Sequence, residues 1–182
     1  MSTKFAMPPL TDALPAGSFE VRPTRDDIPT IVVPAGELEG VARVLRDHPA
    51  LTFNVCLDVT AADRFPRVPR FDVVYHFVAT DVPFTLRVKV LVGDGSELPT
   101  LSSVWPSANW QEREVWDLFG IVFTGHPTLE RLLTPEDWEG HPLRKDYPVQ
   151  VNLPVRTYEP MQLTEEEFRA NVEADRRHRR PE

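Results

Sequence analysis

Two-residue alternation of apolar and polar side chains marks three stretches of the chain as strands. In Phe71–Ala79, the residues Phe71, Val73, Tyr75, Phe77 and Ala79 share one face. In Phe84–Val92, Phe84, Leu86, Val88, Val90 and Val92 point inward, with Thr85, Arg87 and Lys89 outward. The short connection TDVP between them predicts an antiparallel hairpin. The third stretch, residues 51–60 (LTFNVCLDVT), sets Phe53, Val55, Leu57 and Val59 against Asn54, Cys56, Asp58 and Thr60. A shorter β-branched strand, Thr30–Val33, ends at Pro34.

Helical spacing takes over elsewhere. Leu38, Val41, Val44 and Leu45 predict a helix over Ala35–Asp47, with Pro49 ending the run. A second helix is predicted from Ser107 as N-cap through ANWQEREVWDLF to Gly120 as the C′ residue. Leu98–Pro106 reads as a helical turn before it, and Ile121–Phe123 as a brief strand after it. Gly93-Asp94-Gly95 reads as a plain turn, because Leu98 stands where a dinucleotide loop needs its third glycine. Near the end, Thr164 and Glu167 form a capping box, and acids lead bases along LTEEEFRANVEADRRHRR. Only Phe168 and Val172 give that helix an apolar stripe, so it is marginal alone. A sheet with one apolar face needs one covering layer. The expected fold is therefore α+β, two-layer, with a mixed or antiparallel sheet covered by helices and an extended C-terminal tail. Residues 1–29, broken by Pro8, Pro9, Pro15, Pro23 and Pro29, read as a flexible leader without regular helix or central strand. Residues 30–148 read as the domain, and 149–182 as the tail with its marginal helix.

Composition narrows the function. The chain has 182 residues, of which 41% are hydrophobic, enough for one domain and one core. A net charge of −8 argues against a nucleic-acid backbone as partner. No apolar run is long enough to span a bilayer, and the Pro-rich N-terminus lacks the apolar core of a signal peptide. The single cysteine, Cys56, fits a reducing compartment and excludes a self-contained cluster held by four thiolates.

Residues 112–148 stand apart from this scaffold. They read EREVWDLFGIVFTGHPTLERLLTPEDWEGHPLRKDYP. On the helix, Arg113 and Asp117 are spaced i,i+4, Glu114 and Asp117 i,i+3, and Glu112 lies one turn before Trp116. Helix statistics favour a solvated charged face there. Downstream, His126 and His141 each sit between a glycine (Gly125, Gly140) and a proline, so rigid flanks place both rings. Thr134 reads as a cap on a turn begun by Pro135, with Glu136 and Asp137 following. Arg144, Lys145, Asp146 and Tyr147 then crowd one extended stretch. Two histidines without a third close ligand fall short of a zinc site, and no nucleophile motif accompanies them. A charged, aromatic, Arg-bearing loop suits a protein interface better than catalysis.

This stretch closely resembles the signature of the C-type subunit of bacterial NADH–quinone oxidoreductase, respiratory complex I. The match is strong over about Leu98–Pro148 and gap-free. Relatives usually carry a basic residue four places after the first GHP histidine; here Glu130 occupies that place, followed by Arg131. The resemblance implies a non-redox subunit of the peripheral arm, on the cytoplasmic side of the cell inner or plasma membrane. It implies docking chiefly on the large D-type subunit, which builds much of the quinone cavity, and proximity to the I-type subunit. It implies no cofactor in this chain, while the whole complex uses NADH, FMN, iron–sulfur clusters and a quinone. Glu112, Arg113, Glu114, Asp117, His126, His141, Arg144, Asp146 and Tyr147 would then serve fold and interface, with no catalytic, cofactor or metal residue. Arg144→Ala is expected to leave the domain folded and weaken association with the D-type subunit. The equivalent subunit of a membrane-bound hydrogenase or deazaflavin dehydrogenase shares the motif. A free-standing enzyme using His126 or His141, and an adaptor whose C-terminal segment folds on its partner, are the other readings.

Overall fold

The alternating hairpin lies inside a mixed five-stranded sheet. A computed structural model describes residues 10–26, 28–81, 84–148 and 164–178, in two units, Met1–Tyr147 and Pro148–Glu182. In the first unit the elements run α1 (Leu10–Ala13), β1 (Glu20–Arg22), β2 (Thr30–Val32), α2 (Leu38–Asp47), β3 (Val55–Asp63), β4 (Phe71–Ala79), β5 (Phe84–Val92), β6 (Glu97–Pro99), α3 (Ala108–Phe119) and β7 (Val122–Thr124). The sheet order is β1-β2-β5-β4-β3, with β2 and β5 parallel and the other pairs antiparallel. The hairpin register runs from Ala79 opposite Phe84 to Phe71 opposite Val92. All ten inward residues named from the alternation are buried. Each contributes on the order of 1.5–3 kcal/mol where its side chain is large. Leu38, Val41, Ala42 and Leu45 of α2 join the same core, giving the α+β arrangement that the alternation implies.

Four expectations need correction. The leader is not devoid of structure in its described part: α1 sends Leu10 into the core, Leu14 follows it, and β1 pairs antiparallel with β2. The predicted helix over 35–47 begins as a 3-10 turn at Ala35–Glu37 and becomes α-helical only at Leu38. Leu98 lies in β6, which pairs in parallel with β7 to form a second, two-stranded sheet. A β-bulge between Cys56 and Asp58 breaks the alternation in β3. The extra residue there turns Cys56 and Val59 inward together and leaves Leu57 59% exposed, so the sequence pattern misplaced Val55, Cys56 and Leu57.

α3 and the turn before it are fastened to β3 and the residues leading into it by side chains. Trp105 Nε1 donates to the carbonyl of Phe53 at 3.1 Å, and its ring stacks on Phe77 at 4.3 Å between centroids. Ser107 Oγ donates to the carbonyl of Cys56 at 3.0 Å, and Gln111 Nε2 to that of Leu57 at 2.9 Å. Ser107 therefore makes no side-chain cap on its own helix, contrary to its predicted role.

In the second unit, α4 (Glu165–His178) opens on the predicted capping box. Thr164 N–H donates to Glu167 Oε2 at 3.0 Å, and Glu167 N–H to Thr164 Oγ1 at 3.3 Å. The extended piece expected at 149–160 lies outside the described residues.

Candidate functional site

Residues 120–147 close over the C-terminal end of α3. A helix leaves its last carbonyls without partners, and here they are supplied from downstream. Trp116 O accepts from Gly120 N–H at 2.8 Å, in a left-handed turn at φ +77°. Asp117 O accepts from His141 Nδ1–H at 2.9 Å. Leu118 O accepts from Leu143 N–H at 3.0 Å, and Phe119 O from Arg144 Nη1 at 3.4 Å. Gly120 also lets the His141 ring approach: a Cβ there would lie 2.5 Å from His141 Cδ2. Gly120→Ala should therefore lower the unfolding free energy by about 2 kcal/mol or more, from left-handed strain plus the ring clash, measurable by urea denaturation.

Asp117 sits at the centre of this closure and is fully buried. Its Oδ2 accepts the backbone N–H groups of Leu132, Leu133 and Thr134 at 3.0, 2.8 and 2.9 Å. Its Oδ1 accepts from the Thr134 hydroxyl and from Arg131 Nη1, the latter at 2.9 Å. Burial alone would raise the carboxyl, but the Thr134, Arg131 and Leu133 donors outweigh it and hold it well below the ordinary carboxylate range. The i,i+4 pair with Arg113 does not form. Arg113 donates instead to the carbonyls of Glu130 and Arg131 at 3.2 and 2.9 Å and stacks on Trp110. Arg131, one place beyond the unusual Glu130, supplies the cation for Asp117. Thr134 does not cap the Pro135 turn, because its hydroxyl serves Asp117.

A second set of charges ties the far end of the loop to the sheet. Arg70 meets both Asp63 oxygens, at 3.1 and 2.7 Å, both Asp146 oxygens, at 3.0 and 2.6 Å, and Asp94 at 2.9 Å. Arg144 meets both Asp94 oxygens, at 2.9 and 2.7 Å, and Asp146 at 3.2 Å. The Arg70 and Arg144 guanidiniums both lie over the Phe71 ring, at 5.0 and 5.4 Å. The Arg70 donors pull Asp63 and Asp146 well below the usual aspartate range, and Arg144, then Arg70, lower Asp94. The Gly-Asp-Gly turn thus presents Asp94 to both arginines. Arg70, Asp63 and Asp94 were missed from sequence. Asp63 stands opposite Phe71 in the register, so Arg70 is its neighbour across the strand ends, and that proximity was the available signal.

The histidines are structural in geometry. His126 Nδ1 accepts the Thr128 N–H at 3.1 Å, which leaves Nε2–H to donate to Asn109 O at 3.0 Å. Gly125 and Gly140 both adopt positive φ, +78° and +80°, as the GHP steps predict. Tyr147 packs its ring against Gly140 and against Trp138 at 6.5 Å, and its hydroxyl donates to Glu139 O at 3.2 Å. Among the described residues, no three His, Cys, Asp or Glu side chains are grouped to hold a metal ion.

The solvated-face reading of α3 fails for two of its acids. Glu112, like Asp117, is fully buried. It accepts the Leu101 N–H at 2.7 Å and contacts the Thr100 hydroxyl at 2.5 Å. Glu114 alone of the three acids is exposed, and it has no partner among the described residues.

Comparison with known proteins agrees with this architecture. Residues 31–152 match the family described as respiratory-chain NADH dehydrogenase, 30 Kd subunit. The C-type subunit of NADH-quinone oxidoreductase from a Roseiflexus species is 46% identical over 145 residues, covering 77% of this chain and 80% of that protein. The NADH-quinone oxidoreductase C/D protein of Acidiphilium cryptum is 45% identical over 165 residues, 86% of this chain. The chain spans only 27% of the length of that C/D protein. A chain from the solved structure of the membrane-bound sulfane sulfur reductase, an archaeal respiratory membrane complex, superposes with a TM-score of 0.64 at 27% identity. That likeness covers 74% of this chain and 79% of the other. The signature over 112–148, the sheet beneath it and these matches together place the chain in the respiratory-chain NADH dehydrogenase 30 kDa subunit family.

Proposed function

We propose that this chain is a non-redox structural and assembly subunit in the peripheral arm of a NADH–quinone oxidoreductase, docking chiefly on the D-type, quinone-cavity subunit and lying near the I-type subunit. The observation that carries this is a division within residues 110–147. The buried acids and both histidines are committed to internal bonds, and three large apolar side chains stand exposed among the surface charges. Trp110, Leu133 and Leu143 are 60%, 62% and 52% exposed. Trp is prominent among side chains that anchor protein partners, and exposed apolar residues near it mark an interaction surface. The C/D name of the Acidiphilium relative favours the D-type subunit as the neighbour. In this reading NADH, FMN, the iron–sulfur clusters and the quinone belong to other subunits. The complex sits at the inner or plasma membrane with this chain on the cytoplasmic side. Among the described residues no helix is long and apolar enough to cross a membrane. The likeness to a sulfane sulfur reductase chain favours a second reading, the equivalent subunit of a related membrane-bound complex. The higher identity to the Roseiflexus protein, 46% against 27%, favours the first.

Affinity purification of the tagged chain from its host tests both. The D-type and I-type subunits with an NADH-oxidising module are the expected companions. Hydrogenase or sulfur-reductase subunits would support the second reading, and a chain recovered alone would sink docking altogether. Leu133→Asp combined with Leu143→Asp should reduce recovery of the D-type subunit by about tenfold with an unchanged urea midpoint. Arg144→Ala is a poorer probe than the sequence suggested. Arg144 braces Asp94 and Asp146, so its loss disturbs the loop as well as its surface.

A further inference from the structure

Glu112 is connected to the surface by two hydroxyl groups. Its Oε2 lies 2.5 Å from Thr100 Oγ1, and Thr100 Oγ1 lies 2.8 Å from Ser102 Oγ. Ser102 is half-buried and lines a shallow groove with Ser103, Pro106, Trp110, Gly125 and Pro127. Thr100 Oγ1 also accepts the Ser102 N–H at 3.1 Å, which occupies one of its two lone pairs. The other lone pair and the single hydroxyl proton admit two arrangements. With Glu112 ionised, Thr100 donates to Glu112 and Ser102 donates to Thr100. With Glu112 protonated, Glu112 donates to Thr100 and Thr100 donates to Ser102. Both arrangements fit the same heavy-atom positions.

We propose that Glu112, Thr100 and Ser102 form a proton-uptake site opening on that groove, through which the folded subunit binds and releases one proton. Uptake begins when a hydronium ion in the groove protonates Ser102 Oγ. Ser102 passes its own proton to Thr100, and Thr100 passes its own to Glu112 Oε2. One water is left in the groove and one neutral carboxylic acid in the core, and release runs the same steps in reverse. Titratable groups facing Glu112 from the sheet are the Cys56 thiol of β3 and the Tyr75 phenol of β4. Burial, then the Glu112 charge, pushes Cys56 up to about 12 and raises Tyr75 well above its ordinary value, so both stay neutral beside the site. The turn carrying Thr100 and Ser102 brings no charge to Glu112. Burial raises the Glu112 carboxyl to about 7, against the lowering bonds from Thr100 and Leu101. The site therefore changes state near neutrality. This inference concerns the subunit with the groove open, because Trp110 lines the groove and also belongs to the proposed docking face.

The test follows side-chain carboxyl carbons of the full, 13C-labelled chain between about pH 4 and pH 9. The carboxyl signal missing in Glu112→Gln should titrate with a midpoint near 7, as a single averaged line. Thr100→Val removes the middle hydroxyl and should split that line into separate acid and carboxylate signals, a slowing of exchange by at least about tenfold. Thr100→Ser should restore the averaged line. Should Thr100→Val fail to fold, Ser102→Ala at the groove carries the same readout. A Glu112 midpoint below about 5, or an averaged line that survives loss of either hydroxyl, overturns the proposal.

Discussion

Asp117→Asn should destabilise the domain by about 3–5 kcal/mol and free residues 126–147 from the sheet, the largest effect of any single substitution considered. The aspartate side chain receives only donors: three backbone N–H groups on one oxygen, a hydroxyl and a guanidinium on the other. An asparagine keeps the shape but replaces one oxygen with an NH2 group. Turned one way, that NH2 faces three N–H groups; turned the other, it faces Arg131. Neither orientation satisfies the cage, and the Arg131 charge loses its counter-ion in a partly buried place. The sign with pH follows from the depressed carboxyl. The stabilisation is complete above the ordinary aspartate range and is lost progressively as pH falls from that range toward the depressed folded value. At neutral pH the variant should therefore show its full deficit in urea unfolding. Limited proteolysis should cut it at Arg131 and Lys145, where the wild type resists. A deficit under about 1 kcal/mol would mean that the loop holds without its central carboxylate.

The second large effect is a stability curve that declines toward neutral pH. The folded chain keeps the Glu112 proton up to about 7, whereas an unfolded glutamate gives it up near 4.5. Between these values unfolding releases a proton, so each rise in pH favours the unfolded state, and the slope vanishes above about 7. The full change is on the order of 3 kcal/mol. Asp63, Asp94, Asp117 and Asp146 act in the opposite sense, since their carboxyls are held down in the fold. Their contribution grows from acid pH and is complete above the ordinary aspartate range. Stability should accordingly peak near pH 5, on the acid side of neutrality. Glu112→Gln can donate its amide to Thr100 as the protonated acid does, so its curve should stay flat from about 5 to about 7. Urea midpoints taken across that range for both proteins decide the matter. Parallel curves would show that Glu112 is ionised in the folded chain throughout.

Local pattern carried the hairpin because each residue of β4 and β5 meets a single, regular environment. The same reasoning failed in β3, where one inserted residue at the bulge reverses which side chains face inward. No local rule marks that insertion in LTFNVCLDVT. The acids of α3 show a different limit. Helical spacing says that Glu112, Arg113, Glu114 and Asp117 can be neighbours, but not that a later segment will cover two of them. What buries Asp117 arrives from residues 131–134, and what reaches Glu112 comes from Thr100 and Leu101. The GHP steps were legible because glycine and proline restrict the backbone directly, and Gly125 and Gly140 take up the left-handed angles those steps require. The Arg70 network escaped notice because Asp146 lies 76 residues away from it in the chain.

The side-chain bonds along β3 bear on the life of this subunit before it finds a partner. β3 has nine residues, lies at the border of the sheet and exposes Val55 and Leu57. A strand of that kind, with open carbonyls, invites another copy to add itself and start a chain of copies. Trp105, Ser107 and Gln111 already occupy the carbonyls of Phe53, Cys56 and Leu57. An orphan subunit, made faster than its neighbours, thus has the leading part of that border, where Leu57 is exposed, already taken up by its own side chains.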